Sequence, residues 1–139
     1  MGIQKERGSE MEIEKIARQN FAKWAEALLT KDPREVADAL YTKDNTFLPT
    51  MAPGLLQGIE QARGYFEHFL ANSPEGAIRE EAIQPMGDKY YSHNGLYDFE
   101  VDKEGKRITM ECRFTFNWRK EPNGEWKVLH HHSSQEPKH

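Results

Sequence analysis

Apolar residues recur at helical spacing early in the chain. Ile13, Ile16, Ala17, Phe21, Trp24 and Leu28 fall on one face of a helix. Ser9 and Glu12 precede that stripe at the spacing of a capping box, so the pattern predicts a helix starting there and ending near Thr30. Asp32 and Pro33 restart a helix, with Asp as cap and Pro in the first position. Its apolar stripe is Val36, Ala39 and Leu40. Ile59, Ala62, Phe66, Phe69 and Leu70 predict a third helix over residues 58–72, stopped by Ser73 and Pro74.

The rest of the chain reads as strands. Residues 46–51 predict an edge or bulged strand, because Pro49 has no N–H for a ladder. Residues 52–54 make a turn and 55–57 a short returning strand. Further strands are predicted over 77–84, 89–101, 106–119 and 126–133. Turns fall at Gly87-Asp88, at 102–105 and at Asn123-Gly124, the last a hairpin signal, and a bulge is expected at Asn94-Gly95. This order predicts an α+β fold, three helices packed on a bent, mostly antiparallel sheet that leaves a concavity. The expected organisation is a flexible N-terminus over 1–10, one domain over 11–134 and a loose tail over 135–139.

Composition narrows the function classes. The 139 residues suit one domain, and 37% apolar with 11% aromatic residues is enough to build a core. The net charge is -4 with no basic block, so neither nucleic acid nor an anionic membrane is expected as a partner. A single cysteine, Cys112, excludes an intramolecular disulfide and suits a reducing compartment. No apolar run approaches the roughly 18 residues of a membrane span. The polar start lacks a signal-peptide core, and Glu6 stands where a myristoylation motif wants Ser or Thr, so a cytoplasmic protein is expected.

The longest strand alternates cleanly. Ile108, Met110, Cys112, Phe114, Phe116 and Trp118 share one face; Thr109, Glu111, Arg113, Thr115 and Asn117 share the other. One reading puts the apolar face on the core and the polar face in water. The other puts helices over the polar face. The apolar face, too large for a monomer to expose, would then be covered by another subunit through Phe114, Phe116 and Trp118. Arg113 would point into a cavity and require an anionic ligand or a carboxylate, with Glu111 as the internal partner.

The last strand carries His130, His131 and His132, of which His130 and His132 share a face. A His-x-His pair can chelate zinc or iron but needs a third ligand, and His68 and His93 stand alone. Packing of His130 and His132 at an interface is the expectation, with no metal and no cofactor. His131 is a candidate base or hydrogen-bonding group in the cavity. Cys112, on the apolar face, reads as an inert packed thiol.

Several segments resemble a known family. Trp24, Leu40-Tyr41, Phe47-Leu48-Pro49-Thr50, Gly58, Tyr65-Phe66 and Phe69-Leu70 do so, as do the seven residues 113–119 and the ending Trp126 through His130-His131-His132-Ser133-Ser134. In order and spacing they are similar to the association (hub) domain of calcium/calmodulin-dependent protein kinase II, and above all to its stand-alone bacterial and algal relatives. The resemblance implies a cone-shaped nuclear transport factor 2-like fold. It also implies a non-catalytic domain that forms homo-oligomers, at least dimers packed across the outer face of the sheet. In the family a polar pocket lined by arginines binds small carboxylates. Tyr97, Thr115 and Ser133 hold those arginine positions here, which leaves Arg113 as the pocket cation. The ligand-binding set implied is Arg113, Tyr97, Thr115, His131 and Ser133, with Tyr41 and Trp24 as wall. A second expectation is an enzyme of the ketosteroid isomerase or polyketide cyclase type, with His131 as base and Tyr97 and Arg113 as oxyanion partners.

Overall fold

The apolar stripe of the first helix meets the apolar face of the longest strand. The computed structural model describes the backbone of residues 2–138 and the side chains of residues 10–138. Within them three α-helices, α1 (Gly2–Leu29), α2 (Pro33–Leu40) and α3 (Gly58–Phe69), accompany six strands, with a 3-10 turn over Leu70–Asn72. The strands are β1 (Tyr41–Leu48), β2 (Leu56–Gln57), β3 (Glu75–Pro85), β4 (Tyr90–Lys103), β5 (Lys106–Lys120) and β6 (Trp126–Gln135). They form one mixed sheet in the order β2-β1-β6-β5-β4-β3.

α1 runs through Ser9, so the capping box does not start it. The stretch before Ser9 is rich in Gln, Lys, Glu and Arg, good helix formers that carry the helix back toward Gly2. α2 starts as the sequence predicts: the Asp32 side chain accepts from the Arg34 N–H at 2.9 Å, ahead of Pro33. Its buried set is Val36, Ala37 and Leu40; Ala39 faces solvent.

β1 begins at Tyr41, directly after α2, five residues before the predicted start. It pairs in parallel with β6, and its register shifts between Tyr41 and Thr46. Thr42 and Asn45 are buried in that irregular stretch, where Asn45 Nδ2 donates to the Thr42 carbonyl at 2.8 Å.

The expected bulge at Asn94-Gly95 lies instead on the neighbouring strand, where the register of β3 shifts between Ile78 and Glu80. Gly95 is nonetheless required: a Cβ there would stand 2.0 Å from the Glu80 carbonyl oxygen. The end of the chain is tied down further than expected. β6 runs to Gln135, and the Glu136 N–H donates to the Glu111 carbonyl at 2.9 Å.

The main correction concerns β5. Met110, Cys112, Phe114, Phe116 and Trp118 are all buried within the chain, beneath the helices. Phe21 of α1 packs on Phe114 and Phe116, and Trp24 meets Phe116 edge-on with ring centres 5.1 Å apart. Phe114, Phe116 and Trp118 are therefore core rather than an interface. The polar face with Arg113 and Thr115 is the outer face of the sheet. α1 carries an apolar stripe of its own, and burying that stripe on the aromatic strand removes both from water at once.

Candidate functional site

Side chains from α1, β1, α3, β4, β5 and β6 converge on a cavity between helices and sheet. It is lined by Trp24, Phe47, Thr50, Tyr65, Phe66, Phe69, Tyr97, Phe99, Met110, His131 and Ser133. Its volume is about 10 Å³ measured to a water's centre, room for about one water.

One run of hydrogen bonds crosses it. Trp24 Nε1 lies 3.2 Å from Tyr41 Oη, and Tyr41 Oη lies 2.9 Å from His131 Nδ1. His131 Nε2 lies 3.1 Å from Tyr97 Oη, Tyr97 Oη donates to Ser133 Oγ, and Ser133 Oγ lies 2.6 Å from Thr50 Oγ1. Tyr65 Oη donates to the Thr50 carbonyl at 3.0 Å. Tyr97 has one hydrogen and gives it to Ser133, and that fixes the direction back to Trp24. Tyr97 therefore accepts from His131, which carries its proton on Nε2. His131 Nδ1 then accepts from Tyr41, which accepts from Trp24, while between Ser133 and Thr50 either hydroxyl can be the donor.

The network is neutral. The His131 ring is sandwiched between Phe116, 3.9 Å away by ring centres, and Phe47, 4.7 Å away. Burial, then the neighbouring His130 and His132, hold its pKa well below the usual value. Burial drives the Tyr41 and Tyr97 phenols well above theirs. Cys112 is buried and its thiol is pushed up to about 11, mainly by burial, as suits an inert thiol.

Of the residues singled out from sequence, Trp24, Tyr41, Tyr97, His131 and Ser133 come together here. Arg113 and Thr115 do not. Arg113 is exposed on the outer face and makes no ion pair among the described residues. Its expected partner Glu111 lies 3.6 Å from Arg79 instead. Thr115 donates to Asn94 Oδ1 at 2.8 Å on the same outer face. The alternation had grouped Arg113 with Thr115 correctly, but the face they share looks away from the cavity. His130, half-buried, bonds Thr46 Oγ1 through Nδ1 at 2.7 Å, and His132 is exposed beside it. No group of three metal-ligating side chains occurs among the described residues. His93 is fully buried away from the cavity, with Nε2 2.7 Å from Glu81 Oε1.

Sequence reasoning gave no role to Thr50, Tyr65 or Met110. Thr50 follows Pro49 in a loop, where no periodicity marks a residue as inward. The available signal was the family-like run Phe47-Leu48-Pro49-Thr50 and the pair Tyr65-Phe66.

Comparisons with known proteins agree with this geometry. The family described as calcium/calmodulin dependent protein kinase II association domain matches residues 10–137. A solved structure from Xanthomonas campestris described as such an association domain is 36% identical, with TM-score 0.84, covering 90% of this chain and 88% of its own. A nuclear transport factor 2-like superfamily protein from Salmonella enterica is 17% identical, with TM-score 0.79 and coverage of 93% and 94%. A ketosteroid isomerase-like protein from Erwinia carotovora atroseptica is 13% identical, with TM-score 0.70 and coverage of 87% and 94%. The last two show the fold alone. Curated proteins yield no match.

Proposed function

The chain belongs to the calcium/calmodulin dependent protein kinase II association domain family, and from that premise we propose a non-catalytic, self-associating domain with a small-molecule pocket. The observation that carries self-association is the outer face of the sheet. Cross-strand register aligns Asn94, Thr115, His132 and Leu48 in one row, and Ser92, Asn117, His130 and Thr46 in the next. Neither row holds an acid, a lysine or an arginine, although 30% of the chain is charged. Ion pairs flank the rows: Arg79 with Asp98 on one side, Arg119 with Asp44 on the other. Interface centres are depleted of charge in this way and ringed by polar rims.

The isomerase-type reading ranks second. Such chemistry needs a base with a free lone pair. Both nitrogens of His131 are engaged by tyrosines, and no carboxylate is among the side chains lining the cavity.

The test is absolute mass in solution by light scattering on a sizing column, across a concentration series. A stable particle of two or more 16.2 kDa chains is expected. A monomer at micromolar concentration would end the proposal.

A further inference from the structure

The two uncharged rows on the outer face of the sheet hold one histidine each. His132 lies between Thr115 and Leu48, and His130 between Asn117 and Thr46. Asn94 and Ser92 extend the rows onto β4. An imidazole is the one ordinary side chain that changes charge between about pH 5 and 8. The rows are therefore uncharged only while both imidazoles are neutral. Burial holds the His130 imidazole below its usual value within one chain, against the pull of its bond to Thr46, and His132 beside it lowers it further. His132 is exposed, so a second copy seated on this face would cover it.

The surroundings offer no spare carboxylate to receive a positive charge. Beyond the first row, Ser134 pairs with Arg113, itself a cation, and Arg113 pairs with Leu96. Further along that face, Glu111 and Asp98 are held by Arg79 at 3.6 and 3.2 Å. Glu80 lies on β3, at the edge of the sheet and three strands from β6. Beyond the second row, Arg119 stands opposite Lys127 and Tyr90. The acids there, Asp44 and Glu121, are both bound to Arg119, at 2.8 and 3.1 Å. On the far side of β1, Thr46 meets the neutral Gln57 of β2.

We infer that His130 and His132 make self-association pH-dependent: neutral imidazoles let two outer faces meet, and protonated imidazoles drive the copies apart. This rests on reading the outer face as the contact between copies. A two-fold contact sets the patch against itself, so each histidine enters it twice. Like charges brought together in a contact centre disfavour it. The separated chains then bind more protons than the assembly does. Association is full above the ordinary imidazole value of about 6.5 and weakens as pH falls through it, by at most about tenfold per pH unit for each histidine.

The experiment is light scattering on the full chain over a concentration series at about pH 7.5 and about pH 5.5, with EDTA present so that no metal contributes. The dissociation constant is expected to rise at least tenfold at the lower pH, while far-ultraviolet circular dichroism stays that of the folded chain. The double variant His130→Asn, His132→Gln should associate within about twofold equally at both values. Asn keeps an amide where His130 Nδ1 meets Thr46, and neither replacement titrates. His68→Gln, exposed on α3, should keep the parent's dependence. The double variant still carries the buried His93 and His131. A pH dependence that survives in it therefore belongs to those groups, and overturns the inference. Should the double variant not associate at the higher pH, His132→Gln alone is read, since His132 makes no side-chain hydrogen bond among the described residues. It should cut the rise at least threefold, and an undiminished rise overturns the inference. A parent chain that associates equally at both values ends this inference and leaves self-association standing. A monomer at both values ends the self-association reading and this inference with it.

Discussion

At the scale of single residues, the network around His131 concentrates the energetic risk. Tyr41 both accepts from Trp24 and donates to His131, so removing its hydroxyl leaves two buried groups unpaired. An unsatisfied buried group costs about 1–3 kcal/mol. Tyr41→Phe is therefore expected to lower stability by about 2–4 kcal/mol, read as a shifted urea midpoint. Tyr65→Phe, which frees one backbone carbonyl, should cost less. Histidine burial also sets a pH dependence. Burial is the leading cause of lowered pKa values at His93, His130 and His131, from a usual 6.5. A base whose folded pKa is depressed binds fewer protons folded than unfolded. Stability is thus full above about pH 6.5 and declines as pH falls below it, by at most about 1.4 kcal/mol per pH unit for each histidine. Urea midpoints at pH 7.5 and 5.5 check this, and His93→Gln should flatten the difference. A second loss follows at lower pH: the Arg119 guanidinium holds Asp44 at about 2, so that pair's contribution fades between about pH 4 and 2. Trp24 was legible from the helical stripe of α1 and His131 from the alternation of β6, whereas Tyr41, Tyr97 and Ser133 were reached only through the family resemblance. Thr50 and Tyr65 act through a loop hydroxyl and through a bond to a backbone carbonyl, and neither leaves a periodic trace.

At the scale of elements, alternation and turn chemistry located the helices and strands but left orientation open. A period of two states which residues of β5 share a face, and says nothing about which face the helices cover. Both readings were available, and packing chose the one that buries Phe21 and Trp24 against Phe114 and Phe116. The parallel pairing of β1 with β6 was not legible, because it joins residues more than 80 positions apart and no local turn signals it. The glycine signal at Gly95 was read correctly as a special position but assigned the wrong device. The extra residue belongs to β3, and Gly95 makes room for its backbone. Gly95→Ala tests that reading. Its Cβ would meet the Glu80 carbonyl at 2.0 Å, a backbone atom that cannot rotate away. Overpacking of this kind costs about 3 kcal/mol or more where nothing can yield. A melting temperature lowered by 10 °C or more is the corresponding expectation. Gly87→Ala, where nothing lies within 4 Å but φ is +79°, should cost less.

At the scale of the whole molecule, the face that a second copy would cover is polar and uncharged rather than aromatic. A two-fold arrangement sets a surface patch against the same patch on its partner, so one substitution appears twice at the contact. Thr115 sits in the middle of the first uncharged row, between Asn94 and His132. Thr115→Arg would place two guanidinium groups in a centre that holds no acid to receive them. Like charges brought together at an interface centre cost several kcal/mol, enough to move a micromolar-stable assembly to monomers. The expected result is a drop in mass to a single chain, with circular dichroism and melting temperature close to those of the parent, because Thr115 faces away from the core. Lys106→Glu, exposed at the start of β5, changes the net charge by more than Thr115→Arg does and should leave the mass unaltered. If Thr115→Arg keeps the parent mass, the uncharged rows are not the contact and the association surface lies elsewhere on the molecule. If both variants fall apart, the contact extends beyond the uncharged rows to the start of β5, because Thr115→Arg brings the net charge of -4 closer to zero and cannot act through overall repulsion.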